Sequence, residues 1–436
     1  MITTIDLRGT QPSGADYLNL VPRPGIDVAV ATAMAGELIE AVRLEGSVAL
    51  MDQAERFDGV RPTRLRVSGE EIARSVAELP AEVRGALEES IDRVQRASRA
   101  QVPAGQTTQI GPGASIVQRW QPVARAGLYV PGGKAPLASS VVMNAVPAQV
   151  AGVASIALAS PPQREFGGSV HPTILGAAGL LGLDEVYAMG GAGAIGALAW
   201  GVEEIGLEPV QLITGPGNVY VAAAKRVVRG RVGIDSEAGT TEILVIADAG
   251  ADHRLVAADL LSQAEHDEAA AALLVTDSAE LADRVLAQLG DMAARTRHSA
   301  RATTALAGPQ SAIVLVDGLD QAAAFSNAYG PEHLEIHTDD PDAVLALIDN
   351  AGAIFIGPDS PVSLGDYLAG SNHVLPTGGQ ARFSAGLGAY SFLRPQQVIR
   401  YDSAALRQVA DQIVALSSAE NLPAHGAAVS ARFEQA

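Results

Sequence analysis

Short apolar runs alternate with longer amphipathic stretches along most of the chain. SIALAS (155–160), EVYAMG (185–190) and VQLITG (210–215) read as buried strands, separated by helical patterns at 140–152, 171–182 and 193–201. Strand and helix alternating at this spacing predict a parallel sheet with crossover helices. A second series runs through EILVIAD (242–248), ALLVTD (272–277), AIVLVD (312–317), LEIHT (334–338) and AIFIG (353–357). Its helices are expected at 254–268, 278–294, 319–329 and 340–350. Ahead of both series, 28–53 reads as one amphipathic helix, 64–68 as strand-like, and 68–78 and 80–100 as two further helices. SIVQRWQPV (115–123) and AGLYV (126–130), rich in β-branched and aromatic residues, read as strands.

The expected fold is therefore α/β, with two doubly wound, incomplete Rossmann-like parallel-sheet lobes and small N- and C-terminal extensions. Residues 1–24 form the N-terminal extension, 25–128 with 241–387 the larger lobe, and 129–240 the second lobe. Residues 388–436 form a small C-terminal segment, helical from about 390.

Composition narrows the function. Hydrophobic residues make up 48% and charged ones 18%, as in a folded globular protein. A formal charge of −19 argues against nucleic acid or an anionic membrane as partner. With no cysteine, disulfides, thiolate metal sites and cysteine nucleophiles are excluded, so any metal must be held by His, Asp, Glu, Asn or Gln. The start MITTIDLRGT has no signal-peptide pattern, and the apolar stretch 141–160 is interrupted by Asn144, Pro147, Gln149 and Ser155. A cytoplasmic location without a membrane span is the expectation.

Three glycine-rich loops follow strands of the second lobe: YVPGGKAP (129–136), GGAGAIG (190–196) and TGPGNVY (214–220). Ligands of open parallel sheets bind beyond the carboxyl ends of the strands, and bare N–H groups there suit phosphate. GGAGAIG spells G-x-G-x-x-G, but the next strand ends in Gly and Pro without the acid that would hold a ribose. The spelling alone therefore reads as a tight turn.

LLSQAEHDE (260–268) reads alone as a solvated acidic helix end, although Gln263 and His266, three apart, would share a helical face. Glu265 and Asp267 would point off that face into solvent. In YGPEHLE, Gly330 and Pro331 are expected to turn the chain into a helix start carrying Glu332 and His333, adjacent acid and base. Asp366 sits where GDYLAGSNH begins, His373 in the loop after it, and His425 in AENLPAHG. His337 is expected half-exposed on a strand, and His171, His253 and His298 read as loop or surface residues. Gln263, His266, Asp366 and His425 together would suit Zn²⁺, a borderline ion. That would leave Glu332 and His333 for proton transfer near neutral pH.

YVPGGKAPLASS, TGPGNVYVAAAKR, LLSQAEHDE, YGPEHLEI, PVSLGDYLAGSNHVLPT and AENLPAHG, in this order and spacing, resemble the L-histidinol dehydrogenases over essentially the whole chain. The resemblance implies a zinc-dependent enzyme that oxidises L-histidinol through L-histidinal to L-histidine and reduces two NAD⁺. It implies zinc ligands at Gln263, His266, Asp366 and His425, the last from the partner subunit of a homodimer with shared active sites. It implies His333 as base for the first oxidation and Glu332 as activator of water for the second. Thr241 and Glu420 would contact substrate beside the ligands and His333, and Tyr129, Gly193 and Asn218 would contact NAD. On this reading 129–240 binds NAD, the larger lobe carries most zinc and catalytic residues, and 388–436 serves the partner's site.

Two positions depart from the family pattern: Gly193 where Gln is common, and Thr240 where Pro is usual. An alternative substrate is another polar alcohol such as a sulfonated diol, against which Glu420 suits an ammonium group. A non-catalytic zinc or nucleotide-binding protein of the same fold is the alternative of a different class, and it would not need both Glu332 and His333.

Overall fold

EILVIA, AALLVT and AIVL are almost wholly apolar and buried at every residue, the composition that strands covered on both faces require. In the computed structural model, which describes residues 2–23, 28–132, 135–237 and 239–434, they form the middle of the larger of two parallel sheets. Numbered along the chain, the strands are β1 (Thr3–Asp6), β2 (Gln106–Gly111), β3 (Ala114–Pro122), β4 (Arg125–Tyr129), β5 (Ser155–Ser160), β6 (Val186–Ala188) and β7 (Leu212–Thr214). There follow β8 (Gly233–Ile234), β9 (Glu242–Ala247), β10 (Ala271–Thr276), β11 (Ala312–Leu315), β12 (His333–His337), β13 (Ala353–Ile356) and β14 (Leu393–Tyr401).

The larger sheet has the order β1-β11-β10-β9-β12-β13 and the smaller β6-β5-β4-β7-β8, each parallel throughout. In both, the chain winds outward from a central strand, returns to the middle, and winds the other way. This is the doubly wound α/β fold expected from the sequence. Its topological switch points lie between β9 and β12 and between β4 and β7.

The chain divides into two compact units. Both parallel sheets belong to Met1–Gln101 with Val123–Phe392. The second unit joins Val102–Pro122 to Leu393–Ala436. There the hairpin β2–β3 pairs antiparallel with β14, followed by helices Ser403–Ala419 and Pro423–Ser430. The C-terminal segment expected to be helical thus begins with a strand, and its sheet partner comes from nearly three hundred residues earlier.

Several local expectations differ from the structure. The single helix expected over 28–53 is two, Val28–Glu45 and Ser47–Asp58. They are broken at Gly46, where φ is +58° and a Cβ would lie 2.7 Å from a Glu204 carboxylate oxygen. Both pack on helix Gly191–Trp200, beside the smaller sheet. Residues 64–68 make only an isolated bridge, Arg66 to Tyr187. The helix expected over 340–350 is the short Pro341–Leu345, and helices Val219–Val228 and Ser299–Ala307 have no counterpart in the sequence pattern.

Gly215, in the loop after β7, has φ +120°, and a Cβ there would sit 2.0 Å from the Tyr129 carbonyl oxygen. Backbone atoms cannot move aside as a flexible side chain can. Gly215→Ala should therefore destabilise the fold by about 2–3 kcal/mol, read as a lower midpoint in urea denaturation with unchanged slope. A wild-type midpoint would refute the close approach.

Candidate active site

Gly330 ends helix Leu319–Tyr329 in the left-handed region (φ +59°) and turns the chain. Beyond Pro331 the chain enters β12 and not the helix start expected at Glu332–His333. The alternation HLEIH suits a strand, and His333 pairs with Ile243 of β9 on one side and Ala353 of β13 on the other. Glu332 and His333 are 6% and 4% exposed, at the amino ends of the two strands that flank the larger sheet's switch point.

Both side chains close on the Thr241–Glu242 segment. Thr241 Oγ1 donates to Glu332 Oε2 at 2.6 Å, and the Glu242 N–H donates to the same oxygen at 2.9 Å. His333 Nδ1 lies 3.0 Å from the Glu242 carbonyl oxygen. A carbonyl only accepts, so Nδ1 carries the proton and Nε2 is left with the lone pair. Nδ1 also lies 3.6 Å from Glu332 Oε2. Burial pushes the Glu332 carboxyl up to about 7, against the opposing pull of His333, Thr241 and the Glu242 N–H. A carboxyl poised there can take or give a proton near neutral pH.

Gln263, 2% exposed, lies in the last turn of helix His253–Ala264, and its amide nitrogen donates to Thr241 Oγ1 at 2.6 Å. The amide oxygen is the atom this bond leaves for another partner. His266 does not share a helical face with it, because the helix stops at Ala264 and Glu265 is its C-cap. The turn beyond the cap nonetheless brings His266 into the electrostatic reach of Asp366 and His333. Crowding by neighbouring chain, more than either charge, lowers the His266 imidazole below its ordinary value, although the residue keeps solvent exposure. Asp366 is half-buried on the short helix Val362–Tyr367.

His373 also faces this group. Burial lowers its imidazole, and it feels Asp366, His333 and His266, while its Nε2 lies 3.3 Å from Ser139 Oγ. The sequence pattern gives His373 no role. Its only signal is a histidine directly before an apolar Val-Leu in a long loop, which many structural histidines share.

Glu420 and His425 belong to the second unit. Glu420 is the C-cap of helix Ser403–Ala419 and His425 lies in helix Pro423–Ser430, both exposed.

On the smaller sheet, the loops after β4 and β7 flank the switch point, whereas GGAGAIG follows the edge strand β6. Gly133 and Lys134 of the first loop lie outside the described residues, as does Ala238 of IDSEAGTTE. Tyr129 is buried, and its hydroxyl accepts from the Gly191 N–H at 3.2 Å. Exposed Asn218 caps helix Val219–Val228 by accepting from the N–H groups of Tyr220 and Val221. Gly193 is buried in the first turn of Gly191–Trp200, where a Cβ would meet Gln53 Oε1 at 2.3 Å and Leu50.

One buried cluster has no forerunner among the sequence motifs. Asp259, Glu335 and His337 offer ligand atoms within 4.8 Å of one another, a spacing that would admit a metal ion. His337 is 5% exposed, not half-exposed, because β12 is an inner strand covered on both faces. Burial and then the Glu335 charge push the Asp259 carboxyl up to about 7. Glu335 Oε2 and His337 Nε2 approach to 3.4 Å, and both are buried without a hydrogen-bond partner.

Comparison with known proteins gives a consistent picture. The sequence model of the family described as "Histidinol dehydrogenase" matches residues 21–433. A protein of that name from Leifsonia xyli is 73% identical over 99% of both chains. Another from Thermobifida fusca is 56% identical over 99% of this chain and 98% of its own. A crystal structure of histidinol dehydrogenase from Elizabethkingia anophelis superposes with a TM-score of 0.92 at 33% identity, covering 99% and 98% of the two chains.

The buried Glu332 has a pH signature. Its folded value of about 7 exceeds the ordinary glutamate value of 4.5, so between these limits the native state holds a proton that the unfolded chain has released. Its contribution to stability therefore falls as pH rises through that window and levels off above it. Denaturant titrations from pH 5 to pH 8 should show wild type losing stability relative to Glu332→Gln up to about pH 7 and no further. A difference independent of pH would refute a protonated buried carboxyl.

Proposed function

The chain belongs to the histidinol dehydrogenase family, and on that premise we propose that it oxidises L-histidinol through L-histidinal to L-histidine, with NAD⁺ and Zn²⁺ bound. The observation that carries the mechanism is the Glu332–His333 pair held on the Thr241–Glu242 segment, with Gln263 tied to the same threonine.

The donor set fits zinc. An amide oxygen of Gln263, an imidazole of His266 and a carboxylate of Asp366 are oxygen and nitrogen ligands of the kind a borderline ion takes without sulfur. His425 of the partner subunit would supply the fourth, and with it Glu420 of the partner subunit would meet the substrate ammonium. The protein would then act as a homodimer with shared sites. When bound, the metal would hold the substrate imidazole and amine, and the nicotinamide would accept hydride from the carbinol carbon, in both oxidations.

The protein's own groups do the proton work. His333, its Nδ1 proton committed to the Glu242 carbonyl, takes the alcohol proton at Nε2. Glu332 then removes a proton from the water that adds to the aldehyde, a task its value of about 7 suits. Thr241 orients Glu332 and contacts substrate. NAD would lie over the loops after β4 and β7 in the lobe spanning 129–240, near Tyr129, Asn218 and the backbone at Gly193. The larger lobe, 25–128 with 241–387, would carry the chemistry. A cytoplasmic location suits such an enzyme, and among the described residues no helix is long and apolar enough to cross a membrane.

Two NADH should form per L-histidinol, and prolonged chelation should abolish the reaction until zinc is restored. His333→Ala should slow the first oxidation by about 10²–10⁴-fold, and Glu332→Ala should slow mainly the oxidation of supplied L-histidinal. No NADH from zinc-loaded protein with histidinol would refute the function. Unimpaired aldehyde oxidation by Glu332→Ala would refute its role.

A further inference from the structure

Glu242 is the first residue of β9, and it is only 2% exposed. Its backbone addresses both members of the acid/base pair through the two peptide units that flank its Cα: the N–H donates to Glu332 and the carbonyl accepts from His333. Its side chain leaves in the opposite direction from that of Thr241, as neighbouring residues of a strand must. Thr241 ties the segment to Glu332 and Gln263. The Glu242 carboxylate ties it to three other parts of the chain.

Those ties are complete. Arg23 Nε and Nη2 donate to the two carboxylate oxygens at 2.9 and 3.1 Å, a forked pair. The Tyr329 hydroxyl donates at 3.2 Å and the Gly378 N–H at 3.2 Å. Arg23 is held in turn, with Nη2 on the Tyr329 carbonyl at 2.6 Å and the guanidinium stacked 3.8 Å from the Tyr329 ring centroid. None of these groups belongs to the proposed zinc or substrate contacts, and none has a chemical task in the oxidations.

We infer that Glu242 is the positioning residue for the reaction: its carboxylate, clamped by Arg23, Tyr329 and Gly378, fixes the two successive peptide units, on either side of its Cα, that set the Glu332 orientation and the His333 tautomer. The inference rests on the acid/base assignment proposed above and extends it to residues that touch no reactant. One consequence separates it from a structural role. Because the backbone of a single residue serves both groups, loosening it slows alcohol and aldehyde oxidation together, whereas the Glu332 substitution separates them.

The test measures kcat and KM of the zinc-loaded dimer for L-histidinol and for L-histidinal, with melting temperature alongside. Glu242→Gln should lower kcat for both substrates by about tenfold to a hundredfold, with KM for each little changed, and Glu242→Ala should lower it further. Arg23→Lys, which keeps the charge but not the fork, should act in the same direction and less. Wild-type kcat on both substrates from folded Glu242→Gln, with only a lowered melting temperature, would overturn the inference. If the Glu242 variants do not fold, Arg23→Lys decides by the same readout, and wild-type kcat there overturns it too. His333→Asn separates the two levels. Full turnover by that variant would remove the acid/base assignment and the inference with it, whereas its loss beside unimpaired Glu242→Gln removes the positioning role alone.

Discussion

A carboxylate taken out of water costs several kcal/mol unless its partners are in place, and Glu242 is almost wholly buried. Arg23, Tyr329 and Gly378 supply its partners from the N-terminal segment, the end of a helix and a long loop. Removing one side of such a pair typically costs about 3–5 kcal/mol. An exposed pair such as Arg84–Glu88 is worth about 0.3–0.5 kcal/mol. The large term therefore sits beside Glu332 and His333, and the three segments it gathers are fixed relative to the amino end of β9.

That end of the larger sheet is not where open parallel sheets usually bind ligands. The usual place is the carboxyl edge at the switch point, and the smaller sheet has two glycine-rich loops there, after β4 and β7. The loop after helix Val362–Tyr367 connects the two locations. Asn372 donates to the Met143 carbonyl and His373 approaches Ser139, both in the crossover helix after β4. Thr377 accepts from Gly239, and Gly378 donates to Glu242. On the proposed function, a hydride acceptor over one sheet and a base on the other would need such a bridge, since proton and hydride leave adjacent atoms of one alcohol.

The strands were legible because inner parallel strands must be apolar, and EILVIA or AALLVT can hardly be anything else. The motifs that carry the family resemblance were legible only in combination. What stayed hidden depends on partners distant in sequence. Gly46 breaks a helix whose periodicity runs through it, because its conformation lies in the left-handed region and Glu204 lies against it. The end of helix His253–Ala264 falls before His266, so two residues that periodicity places on one face meet other groups by different routes. His337 alternates like a half-exposed residue, yet it sits on an inner strand with Asp259 and Glu335 beside it. Glu242 was the hardest to find: it reads as the polar first residue of a strand, and its importance lies in Arg23, 219 positions away.

Glu332 and Glu242 are two buried carboxyls beside the start of β9 in different surroundings. Glu242 faces the Arg23 guanidinium in a forked pair. Glu332 has no comparable cation among the described residues; only the adjacent His333 and two neutral donors oppose its burial, and its carboxyl is pushed up to about 7. Environments that separate two like groups in this way suit them to different roles: the one locked in a forked pair can anchor, and the one near neutrality can exchange protons. The assignment is also directional. A cation placed against Glu332 would hold it ionised, with less drive to take a proton from water, and one removed from Glu242 would free the peptide on which Glu332 depends. The separation between anchor and base is thus a property of the fold, set by which side of β9 Arg23 reaches.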